Sequence, residues 1–195
     1  TTFEYVLQEN DQNSKRAFEE GLKSLKSNIG PVLIFNPTIE SVTIKTTKQT
    51  FVYSANHEEG NVQTIKVVKS TTNKLESAMD KFLLFSSFHK YEESDVNINC
   101  LLQVNASNNE IMRRIQDFLF ISYPLFDSEQ HFMSPILINS SRFEPEKERS
   151  SIILKAEDTP ENSKESLINE FILVNSIDLF RQIVNLALKM KCSKK

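Results

Sequence analysis

A chain of 195 residues with 39% apolar and 25% charged side chains fits one ordinary globular domain and lies outside the low-hydrophobicity, high-charge regime of disordered chains. Its net charge of −3 and isoelectric point near 5.7 argue against a stand-alone nucleic-acid binder, whose affinity must come from neutralising phosphates. No uninterrupted run approaches the roughly 20 apolar residues that cross a bilayer. Two cysteines, Cys100 and Cys192, make neither a disulfide framework nor a structural zinc site. No targeting signal is visible at Thr1-Thr2-Phe3-Glu4, so the expectation is a soluble protein of a reducing compartment.

In chain order, Ala17, Phe18, Gly21, Leu22 and Leu25 recur at helical spacing and predict a helix over 14–28 that stops before Gly30-Pro31. Val32-Leu33-Ile34-Phe35, between two prolines, reads as a buried strand. Val42 and Ile44, Phe51 to Tyr53, and Ile65 to Val68 read as a meander of strands. From Thr72 the spacing of Leu75, Met79, Phe82, Leu83 and Ser86 predicts a second helix, followed by a central strand over 98–104.

Ser107-Asn108-Asn109-Glu110 matches a capping box, with Ile111, Ile115, Phe118 and Leu119 on one face of the helix it would open, closed by Pro124. With Ile136 to Ile138 as the next strand, this succession predicts a right-handed parallel crossover. A polar stretch near 157–163 reads as a linker. Beyond it, Leu167, Ile168, Phe171 and Ile172 predict one helix, and Ser176 caps another carrying Ile177, Phe180, Ile183, Val184, Ala187 and Leu188. The reading is therefore an α/β domain over 1–156, then a linker and a C-terminal helical hairpin over 157–195.

Chemistry is sparse. Three glycines, Gly21, Gly30 and Gly60, are too few and too scattered for a phosphate-cradling loop. His57, His89 and His131 lie apart from one another, with no Cys-x-x-Cys to complete a metal set. Cys100 sits in an apolar strand, where a thiol behaves as a small hydrophobe. The pairs Glu92-Glu93 and Glu157-Asp158 are adjacent on loops and read as solvated charge. No catalytic residue, cofactor or metal is expected. Fourteen phenylalanines without a tryptophan suggest helices apolar on more than one side, which belong in a core or against a partner.

The words Gly30-Pro-Val-Leu-Ile-Phe-Asn36, Lys81-Phe-Leu-Leu-Phe-Ser-Ser-Phe-His89 and Cys100-Leu-Leu-Gln-Val104, in their order with the predicted elements, resemble the non-catalytic subunits of XPF-type structure-specific endonuclease heterodimers. Within that family the likeness is to the meiotic, sporulation-specific crossover subunits. The resemblance implies a nuclease-like sheet without nuclease residues and a degenerate helix-hairpin-helix module. It also implies an XPF-like protein partner, branched DNA bound by the heterodimer, and a place on chromosomes in the nucleus supporting crossover formation and synapsis. The family's Glu-Arg-Lys-x-x-x-Asp pattern is absent, since Glu148-Arg149 is followed by Ser150. Its DNA-binding hairpins use glycine-containing turns that this C-terminal region lacks.

On that reading Leu167, Phe171, Ile177, Phe180, Ile183 and Val184 are the expected partner contacts, and Lys189, Lys191 and Lys194 with Arg113 and Arg114 the candidate DNA contacts. No small-molecule substrate and no membrane are expected. The alternatives are an adaptor or assembly chaperone with no nucleic-acid role, and a small α/β enzyme with a pocket at the strand ends.

Overall fold

β-rich runs separated by short polar turns pair most cheaply with their sequence neighbours, and the first five strands form an antiparallel meander of that kind. The computed structural model describes residues 12–56, 60–112, 119–125, 135–147, 151–154 and 163–192. A long helix, α1 (Gln12–Phe35), precedes β1 (Ser41–Lys45), β2 (Gln49–Asn56), β3 (Val62–Thr71), β4 (Leu75–Tyr91) and β5 (Ser94–Val104). Short strands β6 (Leu119–Ile121), β7 (Tyr123–Pro124) and β8 (Ile136–Asn139) and a second long helix, α2 (Lys164–Cys192), follow. The eight strands form one sheet in the order β1-β2-β3-β4-β5-β8-β6-β7, antiparallel throughout except for β6 against β8. The chain is thus a mixed α/β protein, as expected.

The register divides the side chains into two layers, because successive residues of a strand point to opposite faces. On one face Tyr53, Ile65, Phe82, Leu101 and Leu137 pack against Ile29, Leu33 and Ile34 of α1. On the other, Leu83, Val96, Ile98, Cys100, Leu102 and Ile136 pack against Ile168, Ile172, Leu179, Ile183 and Ala187 of α2. Strands β4 and β5 therefore carry apolar side chains on both faces where they cross between the helices.

Several sequence expectations are corrected. Helix α1 does not stop at Gly30-Pro31 but runs through both to Phe35, so the segment Val32 to Phe35 is helix and not strand. Gly30 is used for close approach: a Cβ there would lie 3.0 Å from Cζ of Phe82. The segment Leu75 to Ser86 is part of the 17-residue strand β4, not a helix. Its apolar spacing arises because Phe82 to Phe85 are packed on both faces, which hides the alternation.

Residues Asn105 to Glu110 form a turn. Asn105 Oδ1 accepts the amides of Ser107 and Asn108, Asn108 Oδ1 accepts that of Glu110, and Asn109 sits at φ 58°. Ile111 then bridges back to Val104. The segment expected to cap a helix through Ser107 and Glu110 is an Asx turn closed by the side chains of Asn105 and Asn108. Ile115 and Phe118 lie outside the described residues, but Leu119 begins β6, and Pro124 pairs with Phe120 in β7. The one parallel pair, β6 with β8, stands where a crossover from β5 was expected, and β5 itself meets β8 antiparallel.

The C-terminal hairpin is one unbroken helix of 29 residues. Ser176 does not cap its second half. It sits in the interior, its hydroxyl donating to the carbonyl of Leu173 at 2.6 Å. The true N-cap is Ser163, whose Oγ accepts the Ser166 amide at 3.1 Å. The amide at the start of the helix and the Ser163 hydroxyl hold the Glu165 carboxyl below its usual range.

Candidate functional site: the outer face of the C-terminal helix

A helix lying on a sheet needs one apolar stripe, and α2 has two. The inner stripe, Ile168, Ile172, Ser176, Leu179, Ile183 and Ala187, is buried against β4 and β5. Asn169 locks this stripe to the loop before it: its Nδ2 donates to the carbonyls of Glu144 and Ile153, both at 2.8 Å, and its Oδ1 accepts the Glu144 amide at 2.8 Å. Cys100 lies beneath the middle of the helix with Sγ 3.8 Å from the Ser176 carbonyl oxygen, and burial pushes its thiol up to about 12. That thiol is packing, not a nucleophile.

The outer stripe is Leu167, Val174, Ile177 and Leu188, with Phe180 on its flank, all exposed; Val174 and Ile177 are 57% and 51% accessible. Their spacing of three, seven and eleven residues keeps them on one side of a helix about 43 Å long. Glu170 and Arg181 interrupt the stripe, and Arg181 pairs with Asp178 across one turn at 3.3 Å. By length and composition α2 is apolar enough to cross a membrane. Part of that apolarity is the inner stripe, filled by the sheet and tied by Asn169, and part is the flanking Phe171, Leu173, Val184, Leu186 and Met190 packed against the same core. The rest faces outward.

Of the six residues expected to contact a partner, Leu167, Ile177 and Phe180 are exposed, while Phe171 and Val184 are partly buried against the core. Ile183 is fully buried and is corrected to a core residue. Phe171 spends its ring on the β4–β5 hairpin, 4.9 Å from Tyr91 and 6.0 Å from His89. The sequence reading missed Val174 and Leu188. The missing clue was continuity: only in a single helix do Leu167, Val174, Ile177 and Leu188 align.

Lys189 and Lys191 are exposed in the last turn of α2, where cations suit the helix dipole. The nearby Asn109 ties that turn to the sheet, donating to the Met190 carbonyl at 3.3 Å and accepting from Lys81 Nζ at 3.1 Å. Lys194, Arg113 and Arg114 lie outside the described residues, as do His57 and His131. His89 Nε2 stands 2.8 Å from Ser87 Oγ on β4. Among the described residues no three His, Cys, Asp or Glu side chains gather as a metal site.

The chain matches no protein-family model, and no curated protein and no solved structure is significantly similar to it.

Proposed function

We propose that this protein is a non-catalytic docking subunit that binds another protein through the outer face of α2. The observation that carries the reading is the exposed stripe of Leu167, Val174, Ile177 and Leu188 on a helix whose opposite side is already filled by the core. Exposed apolar side chains gathered along one element, and not scattered, mark interaction surfaces. The stripe mixes these apolar side chains with Glu170 and Arg181, with Asp178 beside them, the mixed composition of a non-obligate protein interface.

The narrower form of the proposal is the role of partner subunit in an XPF-like heterodimer that engages branched DNA and supports meiotic crossover formation. Its supports are the family-like words of the sequence, the α/β body, the docking stripe and the lysines at the end of α2. The hairpin that a helix-hairpin-helix module needs is a single helix here, so nuclease-like ancestry would rest on the sheet and not on the C-terminus. An adaptor or assembly chaperone would use the same helix face without DNA.

Co-expression with an XPF-like protein, followed by size exclusion with light scattering, tests the narrower form. A one-to-one complex that Ile177→Glu abolishes, and that prefers branched over duplex DNA in fluorescence anisotropy at two salt concentrations, supports it. Failure to form any complex removes the heterodimer.

A further inference from the structure

The hairpin of β4 and β5 outruns its neighbours in the sheet. β3 begins at Val62, opposite Leu83, while β4 runs on to Tyr91. Asn61 ends the ladder between β3 and β4 by accepting the Leu84 amide at 2.8 Å. In an antiparallel ladder the amide and carbonyl of every second residue point to the same side. Those of Ser86, Phe88 and Lys90 therefore point where Leu84 points, and among the described residues no strand stands there.

This edge is held extended. On the α2 side of the ribbon, the rings of His89 and Tyr91 lie 6.0 and 4.9 Å from that of Phe171. On the α1 side, Phe88 is 79% exposed, more than any other large apolar side chain among the described residues. Sheet edges are commonly blunted by a bulge, a proline or an outward lysine. Lys90 is instead engaged within the ribbon, 2.7 Å from Asp95 on β5.

We infer that the free edge of β4 from Ser86 to Lys90 is a strand-addition site for an extended segment of a partner protein. The segment lies antiparallel to β4 in line with β3, with an apolar side chain beside Phe88 and a basic one at the hairpin turn. Main-chain groups left open at every second residue are matched by another extended main chain, and pockets or side chains beside them select its sequence. The open length, Phe85 to Tyr91, is about 23 Å and takes roughly seven residues. Phe88 calls for an aromatic or β-branched neighbour across the new ladder. The exposed Glu92 and Glu93 at the turn call for positive charge at that end of the segment. A second copy of the chain fits less well. Its hairpin would bring β5 as well as β4, and β5 would fall in the line of β2, where Asn56 and Gly60 already stand. The site is separate from the outer stripe of α2, and its occupancy does not depend on that stripe.

The test uses the intact chain and, as probe, a fluorescein-labelled peptide with lysines at its N-terminus followed by valine and threonine alternating around a central phenylalanine. Fluorescence anisotropy is expected to show saturable binding below about 1 mM. Lys90→Pro removes one outward amide at a position where an edge strand tolerates proline. It is expected to weaken binding at least about tenfold while melting within a few degrees of wild type. Phe88→Ala is expected to weaken it about threefold or more, and Ile177→Glu on α2 to leave it unchanged. Methylating one alternate set of the peptide's amides should abolish binding, and methylating the other set should leave it. Absence of binding at about 1 mM overturns the inference, as does equal loss from the two methylated peptides, which would mean apolar adhesion without a ladder. A chain that doubles in molar mass on its own, and loses that association with Lys90→Pro, overturns it too by placing a second copy at the edge. The heterodimer reading falls on a different result, the failure of co-expression.

Discussion

Helices α1 and α2 are both long and lie on opposite faces of one sheet, yet they spend their length differently. Only the last turns of α1, from Asn28 to Ile34, are buried, and its first turns carry Lys15, Arg16, Glu19, Glu20 and Lys23 into solvent. Helix α2 is anchored along its whole length and is still apolar on the side turned away from the sheet. Stability explains the inner stripe of α2 and the end of α1, because each buried side chain there contributes on the order of 1.5 to 3 kcal/mol. It does not explain Val174, Ile177 and Leu188. Apolar residues that the fold does not use point to association.

Single substitutions on the two helices test this contrast. The largest effect is expected on the inner stripe: Ile183→Ala should cost about 2 to 5 kcal/mol, measured by denaturant unfolding, because the site is closed on all sides. Asn169→Ala comes next, at roughly 1 to 3 kcal/mol, since it strands the Glu144 amide and the Ile153 carbonyl that Asn169 pairs. Gly30→Ala on α1 should cost about 1 kcal/mol by thermal melting, the crowding of Phe82 outweighing the better helix propensity of alanine.

Cys100 gives the same contrast a pH signature. Its folded thiol titrates near 12 against an ordinary value of 9, so above about pH 9 the unfolded chain ionises it first. Stability should fall as pH rises from there toward 12, and Cys100→Ala should flatten that part of the pH profile. A profile identical in the two proteins would mean that the thiol is not held in the core. The smallest expected effect is that of Ile177→Glu on the stability of the monomer, within about 0.5 kcal/mol, because about half of the residue already faces solvent and it lies outside the buried core.

The sequence carried the general class and much of the core, and its failures have physical causes. The strands β1, β2, β3, β5 and β8 showed as apolar runs between polar turns because each has at least one clean alternation or a continuous buried stretch. β4 failed because it passes from an exposed ribbon at Leu75 to Met79 into a doubly buried centre at Phe82 to Phe85, and that passage imitates a helical period. Gly30-Pro31 looked like a stop, although glycine lets α1 approach Phe82 and the rest of the helix closes around the proline. Ser176 looked like a cap because serine is a common N-cap, yet its hydroxyl bonds back to the Leu173 carbonyl within the helix, whose backbone here lies over Cys100. The exposed stripe of α2 was half legible: the residue types drew attention to Leu167, Ile177 and Phe180, but which of the neighbouring isoleucines and valines face inward depends on where the sheet lies.

The most direct test of the proposed α2 surface is to measure the thermal melting of the wild-type chain and Ile177→Glu side by side, together with the molar mass each reaches after co-expression with an XPF-like protein. The account predicts melting that is unchanged for the monomer and association that is lost in the variant. A variant that unfolds several degrees earlier while associating as before would contradict it, placing Ile177 in the core and leaving α2 with a single working face.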